Sequence, residues 1–231
     1  MDIDNTKEAV NINNNFKIKN KYKLKNTTET NKIHSILLSI SILIYVWSAI
    51  NPLDMQSWFL LSIPAVALVI GLVYVYPKFQ FSTFVYTIVC FHVIILLIGA
   101  KYTYTANPLF EWLGDVFNIE RNQFDRVGHF MQGLTPSLMA KEVFIRKENM
   151  TRNKMFYYYI LSVAMGVSAM YELLEYLATL ITNIPGDVVL GLQGDYLDTH
   201  KDITMAFVGS LFAMAVLGKF HDRQIDKMNS Q

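Results

Sequence analysis

FSTFVYTIVCFHVIILLIGA, residues Phe81–Ala100, runs for twenty residues without an Asp, Glu, Lys or Arg. A helix needs ~20 such residues to cross ~30 Å of hydrocarbon. Ile33–Ile50 and Ser57–Tyr76 have the same character. Tyr157–Thr182 is a fourth apolar stretch, interrupted by Glu172 and Glu175, and Ile203–Phe220 a fifth, free of charge before Lys219. The whole chain of 231 residues is 52% hydrophobic and 17% charged, with a mean hydropathy of +0.27. Soluble domains carry about 25% charged residues, so these stretches are read as spans and not as soluble core helices.

A sixth segment, Gln123–Ile145, holds Asp125, Arg126, His129, Gln132, Lys141 and Glu142, and hydropathy alone passes it over. Lys and Arg placement decides in its favour, because cytoplasmic loops collect these residues. With the N-terminus inside and six crossings, sixteen of the twenty basic residues fall on the inner side. Lys101, Arg121, Arg126 and Lys201 remain outside or at the outer boundary. If Gln123–Ile145 did not cross, the group Lys141, Arg146, Lys147, Arg152 and Lys154 would join the 101–121 loop and the bias would largely vanish. The expected fold is therefore all-α: a polytopic membrane bundle of six transmembrane helices with both termini cytoplasmic. Its expected divisions are a disordered basic tail over 1–32, the transmembrane domain over 33–220 and a cytoplasmic tail over 221–231.

The tail carries Lys17, Lys19, Lys21, Lys23 and Lys25. It either attracts anionic head groups, at about 1 kcal/mol per basic residue near the surface, or only fixes topology. It lacks Arg, holds four acidic residues and precedes the first apolar run, which fits neither a signal nor a transit peptide. A net charge of +1 gives no footprint for nucleic acid. Cys90 is the only cysteine, so disulfides within the chain and cysteine-based metal sites are excluded. No internal repeat, P-loop or glycine-rich dinucleotide motif is present. The expected partners are thus membrane lipids.

Ionisable residues inside a span are costly and mark function by default. Entering from outside near Gln123, the chain carries His129 about 9 Å and Gln132 about 13 Å down, with Asp125 at the edge. Asp125, His129 and Gln132 are spaced to share one helix face. Glu172 and Glu175 share a face of the next helix and lie about 22 and 27 Å from its inner end, a similar depth. Asp195, Asp198 and Asp202 follow at i, i+3 and i+7 and belong to the same outer boundary. One imidazole and up to six carboxylates thus converge from three distant segments. Carboxylates packed this closely repel unless protonated or bridged. A divalent cation is the simplest bridge, with Asp125, His129, Asp195, Asp198 and Asp202 as candidate ligands. Calcium or magnesium would prefer oxygens alone and leave His129 beside the shell. Arg126 could instead neutralise a carboxylate as a bidentate pair.

Each element also has a plainer reading: Asp125 as a helix cap, the three later aspartates as acidic residues at a helix start. Lys141 and Glu142, at the inner edge, are expected to snorkel to water. His92, alone in its helix, is expected to be hydrogen-bonded within the bundle. Gly209-x-x-x-Ala213 is a small-residue contact face. Ser168 in Gly166-Val-Ser-Ala-Met170 lacks the second glycine of a nucleophile elbow and a placed histidine, against a serine hydrolase.

The blocks Phe124-Asp-Arg-Val-Gly-His-Phe130, Tyr171-Glu-Leu-Leu-Glu175 and Gln193-Gly-Asp-Tyr-Leu-Asp-Thr199 with Asp202 resemble the YjdF-like family of bacterial inner-membrane proteins. The resemblance covers about Ile33 to Leu217. More distantly, the order of the blocks resembles the VanZ-like proteins tied to glycopeptide resistance, although Glu175 stands where a Gln is expected there. The resemblance implies a bacterial inner-membrane location and this choice of site residues, and supplies no reaction.

Three functions fit the residues. The first is an enzyme with an outward-facing, metal-assisted site acting on a lipid or lipid-linked head group, with Glu172 or Glu175 as general base. The second is a proton- or cation-coupled transporter, which should show polar groups on both sides of the midplane and often broken helices. The third is a scaffold whose charges only stabilise the bundle.

Overall fold

Three helix starts are written locally. Asp54 accepts from Ser57 N at 2.7 Å, Ser82 from Val85 N at 3.3 Å, and Asn107 from Leu109 N and Phe110 N, with Pro108 at the first helical position. They open α2 (Met55–Val75), α3 (Thr83–Tyr102) and α4 (Pro108–Phe117), after α1 (Thr27–Ala49). α5 (Phe124–Arg146), α6 (Lys154–Ile181), α7 (Asp198–Ala215) and α8 (Gly218–Asn229) complete the chain. The computed structural model describes residues 27–181 and 191–229, and no strand occurs among them. The expected disordered tail lies outside the described residues up to position 26, and α1 already begins at Thr27.

The long helices alternate in direction. One end of the bundle gathers the start of α1, the turn from α2 to α3 and the end of α5: His34 meets Tyr76 and Thr83, and Arg146 donates to Gln80 O at 2.6 Å. At the other end Leu53 N donates to Lys101 O at 2.8 Å, and Asn122 Nδ2 to Asn107 O at 3.0 Å. α3 and α5 are the centre. Val85, Val89, Val93 and Leu97 of α3 pack with Met131, Leu134 and Leu138 of α5 in the main apolar cluster. α5 packs most extensively on α7, and also on α6 and α3, whereas α1 and α2 each lie on α3 and barely touch one another.

Small residues set the α5–α7 contact. A Cβ on Gly133 would sit 1.7 Å from Ala206 O, and one on Gly209 would sit 2.0 Å from Phe130 O. The two backbones touch where side chains would normally separate them. Ser137 and Ser210 seal the same seam with a 2.7 Å hydroxyl bond. Pro136 lies inside α5 without ending it.

The outward faces are apolar, with Leu43, Phe59 and Leu180 each more than 60% exposed. Among the described residues α1, α2, α3 and α6 are individually long and apolar enough to cross a membrane. The expected span Ile203–Phe220 falls in a bent pair: α7 ends at Ala215 and α8 leaves at 56°, and the two together are long and apolar enough to count as one broken span. α5 does not qualify by hydropathy, as its polar content foretells; it is sheltered instead by α3, α6 and α7. The expected tail from 221 is helical as far as Asn229, with His221 and Ile225 fully buried. α4, unforeseen in the 101–121 loop, exposes Leu109, Trp112 and Phe117.

Candidate functional site

Asn122 Oδ1 accepts from Phe124 N at 3.1 Å and starts α5, so Asp125 stands in the first turn and His129 one turn deeper. His129 is 1% exposed, beneath Tyr171, whose ring meets it edge-on at 5.9 Å. Its two nitrogens face different helices. Nε2 lies 3.5 Å from Asp125 Oδ1 and 3.6 Å from Asp202 Oδ1 of α7; Nδ1 lies 3.4 Å from Glu172 Oε1 of α6. Asp125, His129 and Asp202 are all buried, and one ligand atom from each falls within 4.8 Å of the others. His129, Glu172 and Glu175 form a second such group sharing the same imidazole.

Arginines hold the adjoining carboxylates. Arg126 spans α7, with one nitrogen on Asp202 Oδ1 and the other 2.6 Å from Asp198 Oδ1. Arg121 reaches Asp198 Oδ1 at 2.5 Å and donates to Leu192 O at 2.7 Å and Gly191 O at 2.9 Å. Gly191, at φ +63°, brings the chain over the site so closely that a Cβ there would lie 3.1 Å from Asp125 Oδ2. Asp198 is thus an arginine clamp and stands outside both histidine-centred groups. Asp195 occupies the rim: Lys201 Nζ lies 2.6 Å from its Oδ2, and this bond, with help from Leu197 N–H, holds the partly exposed carboxyl below the usual range. Above the rim a hollow of about 450 Å³ is lined by Arg121, Asp195, Tyr196 and Lys201.

Partner accounting shows where this arrangement is incomplete. Among the described residues Asp125 Oδ2, Asp198 Oδ2 and Gln132 Oε1 are buried without a hydrogen-bond partner, and His129 Nδ1 and Glu172 Oε1 face each other at 3.4 Å without forming a hydrogen bond. Buried polar atoms in folded proteins are satisfied as a rule, and exceptions ask for an explanation such as an ion. The charges point the same way: Asp125, Asp195, Asp198 and Asp202 share Arg121, Arg126 and Lys201, while Glu172 and Glu175 gather at the imidazole without any of these cations. The donor set, two aspartates and a histidine nitrogen, suits manganese, iron or zinc. Glu172 on the opposite ring nitrogen is placed to fix the tautomer, as carboxylates do behind metal-bound histidines.

A second polar centre sits at the opposite end of the bundle, and it corrects the expectation for Lys141 and Glu142. Neither snorkels: Glu142 is 0% and Lys141 2% exposed. Glu142 accepts from Ser82 N at 2.7 Å, from Ser82 Oγ at 2.8 Å and from Arg146, and its Oε2 meets His221 Nε2 at 3.1 Å. Lys141 donates to Gly218 O at 2.9 Å and pairs with Asp222 at 3.0 Å. α8 folds back over this end and takes the place of water. His92 is also corrected: it is buried, and neither ring nitrogen has a hydrogen-bond partner among the described residues.

Sequence reasoning missed Arg121 and the roof it holds. Its i,i+4 relation to Asp125 was a visible signal, with Asp125 Oδ2 now 3.7 Å from its guanidinium. Gln193 was legible only as part of a block; its side chain bonds Asn122 N and O at 2.9 and 3.1 Å and ties the roof to the start of α5.

A family model described as predicted membrane protein (DUF2238) matches residues 33–223. Inner membrane protein YjdF of Escherichia coli (strain K12) is 36% identical over 187 residues, 79% of this chain and 88% of that protein. No solved structure matches. With several helices apolar enough to span and matched residues that run through all three polar blocks, the chain is a membrane protein and belongs to the DUF2238 family.

Proposed function

We propose that the protein is a bacterial inner-membrane enzyme with six crossings and both termini in the cytoplasm, whose outward-facing site uses a divalent cation to act on a lipid or lipid-linked head group. The observation that carries this reading is the buried convergence of Asp125, His129 Nε2 and Asp202. The sixteen-to-four distribution of basic residues supports the topology, with α5 as a crossing shielded from lipid by its neighbours.

The cation, when bound, supplies Lewis acidity. Glu172 orients the His129 ring through Nδ1. Glu175, one turn further along α6, is the carboxylate left to take a proton from an attacking water. Arg126 and Arg121 hold Asp198 and keep Asp202 aimed at the imidazole. Arg121 and Lys201 at the mouth of the hollow attract an anionic head group. Purified protein in lipid nanodiscs, given radiolabelled bacterial lipids and manganese or zinc, should release water-soluble head groups. Glu175→Gln should lower the rate by about 10²–10⁴-fold. No release with any metal, from protein that retains its fold, refutes the enzyme.

One observation favours a transporter as the second reading: the buried centre around Glu142 gives polar groups at both ends, and α7 and α8 form a broken pair. That centre nonetheless reads as a latch, since Glu142 is saturated by Ser82, Arg146 and His221, and Leu134 and Leu138 lie between the centres. Ion flux into proteoliposomes that vanishes in Glu172→Gln would establish transport instead.

A further inference from the structure

Because α1 and α2 both rest on α3 and scarcely meet, a cleft runs between them, floored by α3. It contains two adjoining hollows of about 260 and 240 Å³, which share Ser41 and Val69. The cleft has a chemical direction. At the end away from the carboxylate site it begins with Asn31, His34 and Tyr76; beyond them its walls are mainly apolar, Leu38, Leu72, Val73 and Val89 among them, interrupted by Ser35 and Ser41. The polar end is preassembled: Tyr76 OH donates to Asn31 Oδ1 at 2.8 Å, so it can accept from His34 Nδ1 at 3.0 Å while His34 Nε2 accepts from Thr83 at 3.1 Å. Two exposed lysines lie near this end in the chain, Lys32 next to Asn31 and Lys78 two residues past Tyr76; neither lines the hollow, and Lys78 Nζ rests on Tyr74, 3.2 Å from its hydroxyl, from where its flexible stem can swing to a phosphate.

From His34 to Tyr45 the cleft follows α1 for about 16 Å, close to half of the ~30 Å hydrocarbon thickness. That is the depth of one leaflet. We infer that the cleft is a binding site for one acyl chain of an anionic phospholipid, with the chain along Leu38, Val69 and Val73 and the phosphate at Lys32 and Lys78. The Asn31–His34–Tyr76 cluster caps the chain where the glycerol begins. The site is independent of the carboxylate–histidine centre and stands whether or not that centre is catalytic.

Native mass spectrometry of the full-length protein in detergent tests it, with phosphatidylglycerol and phosphatidylcholine of identical chains as probes. The expected result is one tightly held phosphatidylglycerol per chain. Val73→Trp places bulk at a half-exposed position in the cleft, and should reduce that occupancy at least tenfold. Lys32→Gln with Lys78→Gln should remove the preference over phosphatidylcholine, roughly fivefold per lysine. Equal binding of the two lipids by the native protein, or unchanged phosphatidylglycerol binding by Val73→Trp, overturns the assignment. If Val73→Trp lowers thermal stability, the lysine pair, exposed and distant from the core, decides alone: an unchanged lipid preference refutes the head-group site.

Discussion

Replacing Arg126 by Met removes the guanidinium and keeps the bulk of its stem. Arg126 serves Asp198 and Asp202 together and reaches Asp195 at 3.6 Å, but the losses are unequal, since Asp195 keeps Lys201 at 2.6 Å. Asp198 keeps Arg121 at 2.5 Å. Among the described residues Asp202 keeps only His129, whose Nε2 is 3.6 Å away. One buried carboxylate is therefore stranded, and breaking a buried pair from one side costs about 3–5 kcal/mol. The expected loss lies in that range and not at twice it. Adding Asp202→Asn removes the stranded charge and should recover more than half of the loss, because the penalty comes from the partner left behind. Unfolding in mixed detergent and denaturant, followed by tryptophan fluorescence, measures both variants. A cost below about 1 kcal/mol for Arg126→Met, or a double variant whose costs simply add, would refute the clamp.

The α5–α7 seam predicts that Gly133→Leu cannot be accommodated; with Ala206 O at 1.7 Å from its Cβ, the helices must part, and the loss in thermal unfolding should exceed the ~1–3 kcal/mol of ordinary overpacking. Glu142→Gln should destabilise by about 3–5 kcal/mol and increase hydrogen exchange in α8, since Glu142 joins Ser82, Arg146 and His221. The rim contact has a pH sign: the Asp195 carboxyl is held low by Lys201, so the pair is intact above the ordinary aspartate range and opens as pH falls through the depressed value. Proteolysis at the roof should rise only in acid and should not change between pH 6 and 8.

The apolar runs around Phe81–Ala100 were legible because a helix in hydrocarbon must satisfy its backbone internally and present apolar side chains, which leaves a plain mark on sequence. The shared face of Asp125 and His129, and the equal depth of Glu172, were legible from helical rise alone. The fate of Glu142 was not: whether an end-of-helix charge reaches water depends on what covers it, and α8 folds back after a break at Val216 and Leu217 that no proline or glycine announces before Gly218. α4 carried a start signal, Asn107-Pro108, but its Leu109, Trp112 and Phe117 are largely exposed and give the periodicity no core to answer to. The division of the aspartates between arginines and histidine also needed three dimensions, since Asp195, Asp198 and Asp202 differ by single turns and only the position of Arg121 and Arg126 sorts them.

The most direct measurement is metal binding by the purified, full-length protein. Inductively coupled plasma analysis after dialysis against manganese or zinc should find one ion per chain, and saturation at a hundredfold over Kd should stabilise the fold by about 2.7 kcal/mol. His129→Ala and Asp202→Asn should each abolish both effects, whereas Asp195→Asn, on the rim, should leave the ion in place. No stoichiometric metal, or metal held equally well by His129→Ala, would contradict the site.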